Sequence, residues 1–287
     1  MTRYAELSRR WCFLMMLLLV SSTAAGDNTH ADATAPTQDP ILLWPDDPKR
    51  NAMSGIGEMV KRDDGKTQVT EIKTPHLIPY LVKDADEPRP AVILCPGGGY
   101  KKLVPSLHWP IAEWLNEQGF HAFILMYRCP SSRNGGAVPD LQRAIRMVRG
   151  KADDWQIDSD KIGVLGTSAG GNLCARGSIG FGRDKYKPTD AMDKLSGGTQ
   201  TPSDWVQVPE DTPPTLIITA KDDKGHYANS PTYEAALKAA NVPVTAYYYE
   251  TGGHGFGMDQ PATRTWPDRM LKWLIEQGVI DGATPEQ

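Results

Sequence analysis

The chain has 287 residues, of which 40% are hydrophobic and 23% are charged, and its formal net charge is −4. A soluble chain of this length and composition buries a substantial core, in one large domain or two small ones. The slightly acidic balance and the lack of a basic stripe argue against nucleic acid and anionic membrane as partners.

The N-terminal segment has the three parts of a secretory signal. Arginines precede the apolar run Trp11–Val20, and the small residues "SSTAAG" follow it. The run is shorter than the ~20 apolar residues that span a bilayer, so an uncleaved anchor is the less favoured alternative. The sequence therefore predicts a signal peptide over residues 1–25, cleavage between Ala24 and Asp27, and export to the periplasm or the medium. After cleavage, no stable association with the membrane is expected.

Residues 26–40 are polar, small and interrupted by prolines, a composition typical of a disordered linker, and residues 41–287 are then one domain. Three cysteines remain in this part, Cys95, Cys129 and Cys174, and their spacing fits no zinc site. We interpret them as buried small hydrophobic residues. Neither a metal nor an organic cofactor is expected.

From Ile41 onward, strand-like runs alternate with helix-like runs. The first, "QVTEIKTPHLIPYLV", predicts an antiparallel strand pair broken near Pro75. Later strand-like runs are continuously apolar, as in strands buried on both faces, and the stretches between them repeat apolar residues at helical spacing. The predicted strands are "PAVILCP", "HAFILMYR", "KIGVLGTS", "PTLIITA" and "VPVTAYYYE"; the predicted helices are "WPIAEWLNEQG", "PDLQRAIRMVRGKADDW", "GGNLCARGSIG", "SPTYEAALKAAN" and "PDRMLKWLIEQG". This alternation predicts an α/β fold with helices on both faces of a mostly parallel sheet, and ligands bound beyond the carboxyl ends of the strands.

A glycine-rich loop, Cys95–Tyr100, follows the strand-like run "PAVIL". Glycines at such a position let backbone N–H groups approach a ligand closely. In an acyl-transfer enzyme this loop would bind the oxyanion together with the N–H after the nucleophile, here that of Ala169. A flexible loop and a phosphate-binding loop are the alternatives, and the second lacks both the G-x-G-x-x-G pattern and its acidic partner.

Ser168 lies in a G-x-S-x-G segment, Gly166–Gly170, between the strand-like run "KIGVL" and a predicted helix. A strained strand-to-helix turn presents a nucleophile in this way, and side chains two residues to either side would clash. The motif alone occurs by chance in about one chain in ten of this size. The interpretation of Ser168 as a nucleophile therefore depends on the strand before the motif and the helix after it. The alternative is an ordinary strand-to-helix turn with no catalytic role.

Further polar residues follow two later strands. Asp222 and Asp223 come after "PTLIITA", and His254 lies in "GGHGFG" after "VTAYYYE". Taken singly, a solvated acidic turn and a loop histidine are ordinary features. Together with Ser168 they give the order serine, acid, histidine, each at the carboxyl end of a strand, which is the order of an α/β-hydrolase triad.

The chain resembles the acetylxylan-esterase and carbohydrate-esterase branch of the α/β-hydrolases, near the feruloyl-esterase-like and prolyl-oligopeptidase-like groups. The resemblance runs from Ile41 to about Gly278 and is carried by "PGGGY", "GTSAGGNL", "PPTLIITAKDD", "ANSPTYEAALKAANVPV" and "GGHGFGM". These segments are specific for the fold and fairly specific for the branch.

The resemblance implies Ser168 as the nucleophile, His254 as the base and Asp223 as the acid. The segment "KGHY" after Asp223 departs from the family pattern, and this leaves Asp222 as the alternative acid. The oxyanion donors that the resemblance implies are the N–H groups of Gly98, Gly99 and Ala169.

One strand of the family pattern is missing from the sequence. The family has an apolar strand between the serine-bearing and acid-bearing strands, but the chain from Phe181 to Pro214 contains no such run, and "WVQV" is the best candidate. Without that strand the serine and the acid would be displaced by about one strand spacing, ~4.8 Å. Either "WVQV" substitutes, or the region is rearranged, or efficient catalysis is lost.

The leading interpretation is a secreted serine esterase that removes short acyl groups, such as acetyl, from polysaccharide through an acyl-enzyme. Its partner would be an acylated carbohydrate or another small ester. Tyr100, Trp109 and Trp205 are either sugar-stacking residues or ordinary aromatics. Two alternatives stay open: a serine peptidase of the prolyl-oligopeptidase type, and a catalytically impaired binding protein with a hydrolase fold.

Overall fold

The computed structural model describes residues 39–47, 53–131, 135–179, 208–258 and 260–282, together with the backbone of residues 14–17. The strands are β1 (Leu14–Leu17), β2 (Ile41–Leu42), β3 (Glu58–Lys61), β4 (Thr67–Thr70), β5 (His76–Tyr80), β6 (Arg89–Cys95), β7 (His121–Met126), β8 (Ile157–Thr167), β9 (Thr215–Ala220) and β10 (Val244–Tyr249). The helices are α1 (Trp109–Glu117), α2 (Ala137–Gly150), α3 (Ala152–Trp155), α4 (Ala169–Ser178), α5 (Asn229–Ala239) and α6 (Trp266–Glu276).

The main sheet has the strand order β10-β9-β1-β8-β6-β7-β5-β2. From β10 to β7 every neighbouring pair is parallel, whereas β5 runs antiparallel to both β7 and β2. All residues of β7 and β9 are buried, which explains why their sequences are continuously apolar. Because the parallel strands end at one edge, the loops after β6, β8, β9 and β10 meet there.

Helices cover both faces of this sheet, as the sequence predicts. α1 and α6 pack together on one face, where the rings of Trp114 and Trp266 lie 6.0 Å apart in an edge-to-face contact. α2 and α4 contact each other and lie against β8 on the other face. The result is the three-layer α/β architecture.

β1 fills the gap that the sequence leaves at the centre of the sheet. It is parallel to β8 on one side and to β9 on the other, and Met15 pairs with both Leu165 and Leu216. β8 and β9 are therefore two strand spacings apart, roughly 10 Å. The apolar run that predicts a signal peptide thus also supplies the central strand. Residues 205–207 of the candidate "WVQV" lie outside the described residues.

The predicted pairing of the two strands around Pro75 is wrong. β4 pairs with β3 in a separate two-stranded sheet, and β5 enters the main sheet between β7 and β2. β5 is almost fully buried and therefore finds its partners in the core. The β3–β4 hairpin is joined to the loop after β6 by two backbone hydrogen bonds between Val69 and Leu103, of 2.9 and 2.8 Å.

Cys95, Cys129 and Cys174 are buried free thiols, as the sequence predicts. Among the helices that the structure describes, none is long and apolar enough to cross a membrane.

Candidate active site

Ser168 occupies a strained turn between β8 and α4. Its backbone has φ 52° and ψ −118°, values that residues with a side chain rarely adopt. The turn passes against the loop after β6, so that a Cβ atom at Gly170 would lie 1.8 Å from the carbonyl oxygen of Cys95. A side chain at position 170 is thus excluded, which is the physical reason for the second glycine of the motif.

His254 lies between Ser168 and Asp223. Its Nε2 is 2.9 Å from Ser168 Oγ, and its Nδ1 is 2.7 Å from Asp223 Oδ2. Both separations fall in the range of about 2.6–3.2 Å in which the imidazole can take a proton from the serine and the carboxylate can orient the imidazole. Asp223 and His254 are only 5% and 7% exposed, so little water competes for these hydrogen bonds. The arrangement can support nucleophilic attack by Ser168, with His254 as base and Asp223 as orienting acid.

Asp222 has a different set of partners. Its carboxylate oxygens accept hydrogen bonds from the backbone N–H groups of Gly252 and Gly253, at 3.2 and 2.8 Å. These glycines immediately precede His254. Asp222 therefore holds the loop that carries the imidazole, whereas Asp223 contacts the imidazole itself.

Burial lowers the pKa of the His254 imidazole below its usual value of 6.5. The hydrogen bond and negative charge of Asp223 act in the opposite direction, and the neighbouring His226 lowers the pKa further. Because the net direction is downward, the imidazole is neutral at neutral pH, and its Nε2 can accept the proton of Ser168.

His226 is a member of this site to which the sequence analysis gives no role. Its ring centroid lies 3.9 Å from that of His254, and its Nδ1 is 3.2 Å from Asp223 Oδ1. Asp223 therefore contacts two imidazoles, one through each oxygen. Ligand atoms of these three residues also lie within 4.8 Å of one another, a spacing compatible with a metal ion. The signal in the sequence is the "KGHY" departure from the family pattern.

Gly98, Gly99 and Ala169 surround the nucleophile. The two glycines line the same cavity as Ser168, and Ala169 begins α4. Gly98 has φ +136°, and a Cβ atom there would lie 1.9 Å from the carbonyl oxygen of Lys102, so only glycine fits. The N–H of Ala169 belongs to the first turn of a helix, where no intrahelical acceptor exists. These are the positions that oxyanion donors would occupy.

The cavity that contains Ser168 and His254 in its lining has a volume of about 330 Å³. Tyr100 and Trp109 are 5% and 7% exposed and do not line it, so both are core aromatics rather than sugar-stacking residues. The Tyr100 hydroxyl instead donates a hydrogen bond of 3.0 Å to Asn172 Oδ1. Trp205 lies outside the described residues.

Comparison with known proteins gives a family match and curated relatives that include an acetylxylan esterase and a xylanase. The BD-FAE family model matches residues 78–187. The chain is 28% identical to an acetylxylan esterase of Xylanibacter ruminicola over 202 residues, 58% of this chain and 41% of that protein. It is 26% identical to endo-1,4-beta-xylanase B of Butyrivibrio fibrisolvens over 219 residues, 63% of this chain and 34% of that protein. The chain thus spans less than half the length of either relative.

Solved structures of other hydrolases superpose on most of the chain. An acetyl ester-xyloside bifunctional hydrolase from Caldicellulosiruptor lactoaceticus superposes with a TM-score of 0.68 and 28% identity, over 86% of this chain and 98% of that one. Esterase 2 from Thermogutta terrifontis, phosphorylated by paraoxon, has a TM-score of 0.63 and 21% identity, over 81% of this chain and 98% of that one. The second likeness supports the fold alone. With its mostly parallel sheet and its serine on a strand-to-helix turn, the chain has the α/β-hydrolase fold and is similar to the acetylxylan-esterase branch of the α/β-hydrolases.

Proposed function

We propose that the protein is a serine esterase that removes short acyl groups, acetyl first among them, from carbohydrate. The single observation that carries this proposal is the position of His254 within hydrogen-bond distance of both Ser168 and Asp223, at 2.9 and 2.7 Å. The similarity to an acetylxylan esterase supports an acetylated carbohydrate as the substrate class.

The reaction begins when His254 Nε2 takes the proton of Ser168 and Ser168 Oγ attacks the ester carbonyl carbon. Asp223 accepts the hydrogen bond of Nδ1–H and stabilises the imidazolium that forms. N–H groups of Gly98, Gly99 and Ala169 donate to the oxyanion of the tetrahedral intermediate. The imidazolium then protonates the leaving sugar oxygen, which leaves an acyl group on Ser168.

Water completes the cycle in the same geometry. His254 removes a proton from a water molecule, which attacks the acyl carbonyl and forms a second tetrahedral intermediate. Breakdown of that intermediate returns the proton to Ser168 Oγ and releases the carboxylic acid. The low pKa of His254 keeps the imidazole neutral before each attack.

Export is part of the same proposal. Residues 1–25 have the composition of a signal peptide. Cleavage between Ala24 and Asp27 would remove β1, so a processed chain must close the gap between β8 and β9 in another way. Sequencing the N-terminus of the active fraction from the producing cells tests this: a start near Asp27 supports processing, and an intact Met1 contradicts it.

The enzymatic test compares acetylated xylo-oligosaccharide and 4-nitrophenyl acetate with a prolyl peptide substrate. We expect release of acetate from both esters and no cleavage of the peptide. The Ser168→Ala variant is the control for adventitious hydrolysis. Peptide cleavage without ester hydrolysis would instead indicate a peptidase, and a folded protein with neither activity would indicate a binding protein.

A further inference from the structure

One wall of the Ser168 cavity is cationic. Arg62, Lys66 and Lys102 all belong to its lining, and among the described residues that line the cavity none is a carboxylate. The chain as a whole carries 35 acidic and 31 basic residues. The described part of the lining is therefore positively charged, whereas the chain as a whole has a negative net charge.

The β3–β4 hairpin and the loop after β6 carry these three cations. Arg62 and Lys66 lie at the two ends of the hairpin turn, joined by a hydrogen bond of 2.8 Å from Arg62 N–H to the carbonyl of Lys66. Lys102 Nζ donates a hydrogen bond of 2.9 Å to Gln68 Oε1 on β4. The wall is therefore a built surface, since β4 is also tied to the loop after β6 through Val69 and Leu103.

The positive charge of this wall is only partly neutralised. Asp64 forms an ion pair of 3.1 Å with Arg62 and lies outside the lining. Among the described residues, no carboxylate is within salt-bridge distance of the ammonium groups of Lys66 and Lys102. Both lysines are half-buried, so their charges are less screened by solvent than those of the exposed lysines nearby.

From this arrangement we infer that the site is selective for esters that carry an anionic group, a carboxylate or a sulfate, close to the ester bond. Lys66 and Lys102 bind the anion while Ser168 attacks the carbonyl carbon. The anion can belong either to the sugar, as in a uronate or a sulfated residue, or to the acyl group, as in a hemi-ester of a dicarboxylic acid. The inference rests on the proposed esterase function and narrows its substrate class.

Two substrate pairs separate the sources of the anion. The first pair is an acetylated xylo-oligosaccharide with and without a glucuronate branch, and the second is 4-nitrophenyl hemisuccinate and 4-nitrophenyl butyrate. For each pair the readout is the ratio of kcat/KM for the anionic ester to kcat/KM for the neutral one. We expect a ratio well above one in at least one pair, and a decrease of that ratio between 0.05 and 0.5 M salt, about the range over which exposed charges become screened.

The test variant is the double substitution Lys66→Gln and Lys102→Gln, which leaves the Arg62–Asp64 pair intact. Its matched control is Lys61→Gln with Lys101→Gln, two exposed neighbours outside the lining with the same change in net charge. We expect the ratio to fall by about tenfold in the test variant, a typical sum for two partly screened charge contacts, and to stay unchanged in the control.

Each outcome bears on a different claim. A ratio near one in both pairs, or one that the test variant and its control change equally, would overturn the anionic site while the neutral esters still report an active esterase. Hydrolysis of no ester at all would overturn the proposed function and this inference with it. If the double variant fails to fold, the salt dependence of the parent ratio still decides, since a flat response contradicts recognition by charge.

Discussion

The two halves of the main sheet supply different parts of the candidate triad. Ser168 follows β8, which lies in the same half as β6 and β7, whereas Asp223 and His254 follow β9 and β10. In the described part of the chain, β1 is the strand that joins these halves, and it comes from the N-terminal apolar run. The hydrogen bond from Ser168 to His254 therefore crosses between the halves, while the bond from His254 to Asp223 stays within one.

The hydrogen bonds that His254 makes with Ser168 and with Asp223 are stabilised by different parts of the structure. β9 and β10 pair directly at six positions, and Asp222 ties the His254 loop to the end of β9, so the acid–base pair is fixed locally. The 2.9 Å separation of Ser168 and His254 instead joins residues that follow strands on opposite sides of β1, and we infer that it depends on the spacing that β1 gives to β8 and β9. We therefore expect the acid–base pair to be robust and the nucleophile–base pair to be sensitive to changes at the centre of the sheet.

The largest effect is expected from the half that carries the nucleophile. Ser168→Ala should lower kcat on short-chain esters by about 10⁶-fold, as for loss of a triad nucleophile elsewhere. The melting temperature should stay within a few degrees of the parent. Residual activity within tenfold of the parent would remove Ser168 from the mechanism.

Substitution of the two adjacent aspartates that follow β9 should distinguish their roles in catalysis. Asp223→Asn should lower kcat by about 10⁴-fold, because the imidazole loses the anion that fixes its tautomer. Asp222→Asn is the matched control and should cost less than about tenfold, because Asp222 holds only the loop backbone. Steady-state kinetics on one ester substrate compare the two, and a larger loss in Asp222→Asn would reverse the assignment.

Removal of the strand between the halves should act on both stability and activity. A chain that begins at Asp27 loses the hydrogen bonds of β1 with two neighbours, which we expect to lower the free energy of unfolding by about 2–4 kcal/mol. Unless another segment takes the place of β1, as processing at Asp27 requires, loss of the Ser168–His254 geometry should lower kcat/KM by at least about 100-fold. A shortened chain that is as active as the full one would support processing. Denaturant unfolding and ester hydrolysis measure the two effects.

A point substitution separates the strand from the rest of the N-terminal segment. Met15→Pro removes a donor from the centre of β1, and Asn28→Pro, in the predicted linker, is its control. Met15→Pro should reproduce part of the loss of stability and activity, and Asn28→Pro should not. If the shortened chain is as stable and active as the full chain, β1 is not what sets the distance between the halves.

The smallest effect concerns the pH dependence within the acid–base half. The base must be neutral, so kcat/KM should fall as pH drops through the pKa of His254, which lies below 6.5. His226 lowers that pKa, so His226→Gln should move the acidic limb to higher pH. The plateau at pH 8 should change by less than about threefold. An acidic limb of the kcat/KM profile that stays at the same pH, or moves to lower pH, would show that His226 does not lower the pKa of His254.

Much of the fold and the site follows from local sequence patterns. β6, β7, β9 and β10 are mostly apolar runs, as is β8 from Ile162 to Leu165, and the order of Ser168, Asp223 and His254 follows from their places after three of these strands. In each case the signal lies within about ten residues, where backbone sterics and burial act directly.

The features that the sequence does not predict depend on contacts between distant segments. β4 and β5 are recognisable as strands, but their partners are set by the core and not by adjacency. The central place of Leu14–Leu17 has no local signature, because the same apolar run fits a signal peptide. Likewise Arg62, Lys66 and Lys102 form a wall only after the hairpin folds against the loop.

The most direct test of the central claim is covalent labelling of the nucleophile. The full chain is treated with paraoxon, and the modified peptide is located by mass spectrometry. We predict one diethyl phosphoryl group on Ser168, formed much more slowly in Asp223→Asn and absent from Ser168→Ala. A folded chain that takes up no label on Ser168, or takes it up on another residue, would contradict a triad built across the two halves of the sheet.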